Sequence, residues 1–344
     1  MENLIQIYKD KADNLNAFKA ALRKAKMTNL AQKLDNGWQK EQRAPENRLL
    51  LLSQKTSRKT ICDGQFIIDT DRLLGSGHFG EVFIGYCTTG QQAITIAEVA
   101  VKRVKKDDVY GTTTQDRESE NCMKIKEHKH ENLLDIYKIS MEGDTLYIVM
   151  EKCHTNYENY LKHFDGAQPL KGLQQVAKQL ASGYKKLNEL GIIHRDIKPE
   201  NIFLNFHFKD TSLFTLKIGD FGCSHILGDE RNYNQPGLRD QKRNAPEILL
   251  ANGLKFGPID HRQDIWAMGL VLFEGATRKF PFNFDNPYTI CQQMQGLKIP
   301  EQLDKDLKDL LGGMLSFDNT KRLLIHQVRD HIFLHKEIAA NLYR

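Results

Sequence analysis

The chain of 344 residues contains no apolar run near the roughly 20 residues that a bilayer span requires; its longest, around Leu49–Leu52, is far too short. No Cys-x-x-Cys spacing occurs among Cys62, Cys87, Cys122, Cys153, Cys223 and Cys291. That scatter argues against a structural zinc site and against a disulfide framework. It predicts reduced thiols in a cytoplasmic protein. The first residues, Met1-Glu2-Asn3-Leu4, lack the basic and apolar segments of a secretory leader and the glycine that myristoylation needs. Internal repeats and low-complexity tracts are also absent. The net charge is only +5, but it is uneven: residues 1–60 carry 13 Lys/Arg against 6 Asp/Glu, a net of +7, which leaves −2 for the rest. The basic segment reads as a solvated helical surface rather than a nucleic-acid contact.

What is present suits a folded protein. Hydrophobic residues make up 40% and charged residues 27%, enough to bury a sizeable core. Leu15, Phe18, Leu22, Met27, Leu30 and Leu34 recur at helical spacing, which predicts an amphipathic helix or helix pair over 12–35 and a partner protein for it. Residues 36–63 read as a linker. From Phe66 to about 104, short apolar stretches broken by glycine predict a strand meander. A helix is expected over 113–127, a strand over 145–151, and short strands near 202–204 and 215–218. From about 157 onward the pattern is mainly helical.

Gly75-Ser76-Gly77-His78-Phe79-Gly80-Glu81-Val82 fits Gly-x-Gly-x-x-Gly-x-Val. Dinucleotide-binding folds share this glycine spacing, but they need a helix after it. Here Val82-Phe83-Ile84-Gly85-Tyr86 follows, with strand composition, so the glycines belong to a hairpin whose backbone can approach phosphate oxygens. Val99-Ala100-Val101-Lys102 then places a lysine on an apolar strand. In His194-Arg195-Asp196-Ile197-Lys198-Pro199-Glu200-Asn201, a carboxylate and an amide oxygen stand beside two cations. Metal-assisted phosphoryl transfer needs that mixture. Lys217-Ile218-Gly219-Asp220-Phe221-Gly222 adds a second carboxylate after a strand.

In this order the motifs resemble the eukaryotic protein kinase family over about residues 66–337, some four-fifths of the chain. Ala245-Pro246-Glu247, Asp264-Ile265-Trp266-Ala267-Met268-Gly269, Arg322 and His331-Ile332-Phe333 extend the likeness. The resemblance implies an α+β, bilobal protein kinase fold. Its small β-rich N-lobe with one helix would occupy about 64–151 and its larger, mainly helical C-lobe about 156–337, after a basic helical extension and linker at 1–63. The implied activity is ATP-dependent phosphorylation of protein serine or threonine hydroxyls; a pseudokinase or signalling scaffold is the alternative.

By the same resemblance, Asp196 acts as catalytic base, Lys198 meets the γ-phosphate, and Asn201 and Asp220 hold Mg²⁺. Lys102 holds the α- and β-phosphates and pairs with a helix glutamate, assigned to Glu120 with Glu118 as the alternative, because residues two apart on a helix do not share a face. Leu74, Gly75, Ser76, Gly77, His78, Phe79, Gly80 and Val82 cover the nucleotide. Met150 is the gatekeeper, Glu151 and Cys153 offer backbone groups to adenine, and Leu74, Val82, Ala100 and Phe203 sandwich its ring. The Asp-x-Lys-Pro-x-Asn loop is of serine/threonine type.

One segment departs from the family. Where Gly-Thr-x-x-Tyr/Trp is usual, the chain reads Arg239-Asp240-Gln241-Lys242-Arg243-Asn244. Asp240 stands in the threonine position, where a bond to Lys198 is expected, and Arg243 stands in the aromatic position. Arg239, Lys242 and Arg243 predict a preference for acidic or already phosphorylated substrates. Arg195 implies a phosphorylated activation loop, with Ser224 and Tyr233 as candidates; constitutive activity supported by Asp229 or Glu230 is the alternative.

Overall fold

The computed structural model describes residues 57–77, 80–87, 98–105, 112–162, 167–206, 214–228, 241–250, 260–284 and 289–338. The helix expected over 12–35, the loop tip His78-Phe79, Asp229, Glu230, Tyr233, Arg239 and Asp240 lie outside the described residues. The described chain forms two units. One is β-rich with a single long helix and the other mainly helical, as the α+β expectation requires.

The first unit is built on a six-stranded sheet in the order β1-β2-β3-β4-β6-β5, with every neighbouring pair antiparallel. Its strands are β1 (Arg58–Ile61), β2 (Phe66–Gly77), β3 (Gly80–Cys87), β4 (Glu98–Lys105), β5 (Ile136–Glu142) and β6 (Thr145–Glu151). Strand β1 corrects the expectation of a linker reaching residue 63. Thr60 and Ile61 favour extended backbone, and a turn through Cys62, Asp63 and Gly64, all at positive φ, returns the chain into β2. Glu142 Oε1 steadies that turn by accepting the Cys62 N–H at 2.7 Å.

Strand alternation decides what each face carries. Phe66, Ile68, Phe83, Val99, Val101, Tyr147 and Val149 bury one face together with Ile61 and Cys62. The other face follows from register. Val82 opposes Lys102, which opposes Ile148, while Ile84 opposes Ala100, which opposes Met150. Helix α1 (Thr112–Glu127) packs against β5 and β6. Gln115 Nε2 ties its N-terminal half to the sheet by donating to the carbonyls of Val104 at 2.9 Å and Asp144 at 3.1 Å.

The second unit contains a small sheet ordered β10-β9-β7, formed by β7 (Thr155–Asn156), β9 (Ile202–Phe206) and β10 (Phe214–Ile218). Strands β8 (Ile192–Ile193) and β11 (His225–Ile226) pair separately. Helix α2 (Tyr157–Leu161) is short; α3 (Leu170–Glu189) buries Leu173, Val176, Leu180 and Tyr184 along one side. After α4 (Pro246–Leu250), helix α5 (Arg262–Thr277) is buried over nearly its whole length. An all-round apolar helix is expected at the centre of a core. Helices α6 (Ile290–Gln295), α7 (Lys305–Met314), α8 (Ile325–Asp330) and α9 (Ile332–His335) complete the unit. Residues 130–133 belong here although they precede β5. Asn132 Nδ2 donates to the Leu216 carbonyl at 2.9 Å and to Gln179 at 3.1 Å, and Leu133 bridges Ile218.

Candidate active site

In the β-rich unit, the glycine-rich segment is the β2–β3 hairpin, with Gly75 opposite Val82 and Gly77 opposite Gly80. Gly80 is required by shape: its φ is 121°, and a Cβ there would lie 2.4 Å from the Arg103 carbonyl oxygen. Gly75 and Gly77 face open space instead, so their bareness leaves room for a close ligand. Leu74 beside them is half exposed. Val82, Ala100, Lys102 and Met150 lie on one face of the sheet, as the register dictates. Glu151 donates its N–H to the Asp135 carbonyl at 2.9 Å, and Cys153, two residues on, is partly buried.

Lys102 is 5% exposed and needs a counter-charge, because a buried unpaired ammonium is costly. It finds Glu118, not Glu120: Lys102 Nζ lies 2.5 Å from Glu118 Oε1, and Glu118 is 1% exposed. The assignment to Glu120 is thereby corrected. The helix period gives the reason. Gln115, Glu118, Cys122 and Ile125 recur at three- and four-residue spacing and are all buried, whereas Glu120 sits off that line and is only partly buried. Counting residues back from His130 missed a signal that the stripe itself carried.

In the helical unit, the loop between β8 and β9 carries Asp196, Lys198 and Asn201, and the segment after β10 carries Asp220. Asn201 Nδ2 donates to both the backbone oxygen and Oδ2 of Asp196, each at 2.9 Å. Lys198 Nζ lies 2.8 Å from Asp196 Oδ2. Gly219 donates its N–H to the Asn201 carbonyl at 3.0 Å, which sets the Asp220 segment against the loop. Burial raises the Asp196 carboxyl above its ordinary value; Lys198 opposes the shift and the nearby Asp220 charge reinforces it. Burial pulls Lys198 down, but Asp196 prevails and holds it above its usual range. Phe203 follows on β9 and is partly buried.

Two residues without an assigned role organise this loop. Asp264, on α5 and 1% exposed, accepts the His194 N–H at 2.6 Å, the Arg195 N–H at 2.9 Å and the Tyr184 hydroxyl at 3.0 Å. Three donors satisfy its buried carboxylate and hold Arg195 at a φ of 69°, a conformation side chains rarely adopt. His194 bridges the two segments, with Nε2 3.0 Å from the Gly219 carbonyl and Nδ1 accepting the Asp196 N–H at 3.3 Å. Asp264 was legible as part of a helix motif, but its hydrogen bonds span about seventy residues and leave no local signal.

Further residues of the second unit are placed as follows. Ser224 is fully buried and donates its hydroxyl to the His194 carbonyl, so it is not presented for phosphorylation. Cys223 is buried, and burial pushes its thiol up. Glu247 pairs with Arg322 through two bonds of 2.6 and 2.8 Å. Arg243 is engaged internally with Glu274, which corrects the expectation that it serves acidic substrates.

Comparison with known proteins agrees with this geometry. The family described as protein kinase domain matches residues 68–334. The chain is 31% identical over 280 residues to the serine/threonine-protein kinase stk11 of Xenopus laevis, covering 77% of this chain and 60% of that protein. It is 27% identical over 307 residues to Aurora/IPL1-related protein kinase 2 of Caenorhabditis elegans, covering 87% and 91%. Against the serine/threonine protein kinase OSK3 of Oryza sativa subsp. indica it is 25% identical over 267 residues, covering 76% and 48%. It thus spans 60% of the length of stk11 and 48% of OSK3. The chain belongs to the protein kinase domain family, and stk11 and OSK3 among these relatives are serine/threonine kinases by name. That family generally uses ATP and Mg²⁺.

Proposed function

We propose that this chain transfers the γ-phosphoryl group of ATP to serine or threonine hydroxyls of protein substrates. The observation that carries the reading is the hydrogen-bonded cluster of Asp196, Lys198 and Asn201 on one loop. Asp196 accepts the proton of the attacking hydroxyl, and its raised affinity for protons suits that task. Lys198 meets the γ-phosphate, as a cation beside developing negative charge should. Lys102, oriented by Glu118, holds the α- and β-phosphates.

The donors fit Mg²⁺, which takes hard oxygen ligands and few of them from protein. The two bonds that Asn201 Nδ2 makes to Asp196 leave Oδ1 as its remaining polar atom, and the Asp220 carboxylate supplies the second oxygen. Held there by Asn201 and Asp220, Mg²⁺ would neutralise charge on the transferring phosphoryl group. Val82, Ala100 and Met150 offer an apolar face to adenine, with Leu74 and Phe203 as its other contacts. Backbone groups of Glu151 and Cys153 bond adenine, the Glu151 N–H itself being committed to the Asp135 carbonyl. The reading places the protein in the cytoplasm, where ATP and reduced thiols coexist.

The test is a positional peptide array incubated with purified protein, ATP and Mg²⁺, beside an Asp220→Asn control. Transfer to serine or threonine, lost in the control, is expected. An inert wild-type protein would favour the scaffold alternative, and transfer to tyrosine would remove the assignment of hydroxyl type.

A further inference from the structure

The segment leading into α4 departs most from the family pattern, and the structure shows what replaces the missing aromatic residue. The Arg243 guanidinium binds the Glu274 carboxylate through two bonds, Nη1 to Oε1 at 2.5 Å and Nη2 to Oε2 at 3.1 Å. Both side chains are largely buried, at 13% and 17% exposure. Arg243 also lies over the Phe280 ring, 5.1 Å from its centroid. A planar guanidinium can stack and form a forked ion pair at once, which a lysine cannot.

The location of Glu274 explains the need for a cation. It lies in the last turn of α5, a helix whose last turn contains no basic residue. A carboxylate there opposes the negative end of the helix dipole. Arg278 caps this helix end with its N–H on the Glu274 carbonyl, and Arg243, brought from a distant part of the chain, pairs with the Glu274 carboxylate itself. The anchor also extends further. Phe280 meets Phe282 edge-on at 5.8 Å, Phe282 stacks on Trp266 at 6.0 Å, and Arg322 lies over Trp266 at 5.3 Å while holding Glu247. Positions 243 and 247 are therefore tied to the two ends of one aromatic stack. Arg243 and its neighbours Asn244 and Ala245 line a small cavity that Asp196 also lines.

We propose that Arg243 and Glu274 are positioning residues whose ion pair fixes residues 241–245 beside Asp196, where the substrate hydroxyl docks. The docking half of this statement rests on the kinase reading; the anchoring half does not. The experiment therefore has two readouts on the full chain. The first is amide hydrogen exchange. Arg243→Ala and Glu274→Gln should each speed exchange over 241–250 about tenfold or more, leaving the body of α5 protected, and the swapped pair Arg243→Glu/Glu274→Arg should restore most of the protection. The second is steady-state kinetics with the best array peptide. Each single variant should raise the peptide KM about tenfold with the ATP KM within twofold, and the swap should recover it.

Unchanged exchange in both single variants would overturn the proposal, as would single-variant effects that simply add in the swapped pair. Faster exchange with an unaltered peptide KM would overturn it equally. If wild-type protein transferred no phosphoryl group while exchange changed and recovered as described, the kinase reading would fall and the anchor would stand.

Discussion

Lys102 and Glu118 carry opposite charges in a setting where neither is tolerated alone. Their side chains are 6% and 2% exposed, and breaking such a pair from one side costs about 3–5 kcal/mol because it strands the other charge. Replacing Glu118 with Gln should lower phosphoryl transfer by a factor of roughly 10² and also destabilise the β-rich unit. The matching change at Glu120 should leave the rate within about twofold, as expected of a position off the buried stripe. Steady-state assays of the two variants decide the matter, and equal losses would return the role to an open question. The lysine was legible because it ends an apolar strand motif. Its partner was not fixed by the motif, because only the helix phase selects between carboxylates two residues apart.

At the scale of elements, helix α5 organises chemistry that it does not perform. Asp264 gathers donors from His194, Arg195 and Tyr184. Replacing it with Ala would orphan the two backbone N–H groups, at about 1–3 kcal/mol each before relaxation, while the Tyr184 hydroxyl keeps the His261 carbonyl at 3.1 Å. The expected outcome is loss of activity with a lowered denaturation midpoint, followed by urea titration. Helix α7 offers a milder test. Asp304 caps it by accepting the N–H groups of Asp306 and Leu307, at 3.1 and 3.2 Å, and pairs with Lys336. Removal of the cap by Asp304→Ala should cost about 1 kcal/mol. Burial works against the charged form of Asp304, but Lys336 and the two amides prevail and hold its pKa below the ordinary 3.8. A depressed carboxylate stabilises the fold fully above its unfolded value and loses that contribution as the pH falls through the folded one. The difference between wild type and Asp304→Ala should therefore be constant above about pH 5 and shrink on acidification below 4, as urea midpoints across pH would show.

At the scale of the whole molecule, the proposed nucleotide site predicts a linkage. A ligand bound only by the folded state stabilises it by about 2.7 kcal/mol at a hundred times its Kd. ATP with Mg²⁺ should therefore raise Tm by a few degrees. Chelation of the metal should remove most of that increment, and Asp220→Asn should be insensitive to chelation. A shift that ignores both metal and Asp220 would argue against Asn201 and Asp220 as the metal donors.

The sequence by itself determined the succession of a β-rich part and a mainly helical part, the glycine hairpin, the lysine strand and the acid–amide loop, because each is written in a few adjacent residues whose chemistry or period is local. Tertiary structure decided the rest. It chose Glu118 through helix phase, added β1 to the sheet through pairing with β2, hid Ser224, and joined Arg243 to Glu274. For Ser224 and for the Arg243–Glu274 pair, the deciding contact lies between residues 30 and 31 positions apart in the chain. Its free energy depends on burial and geometry that no short window of residues contains.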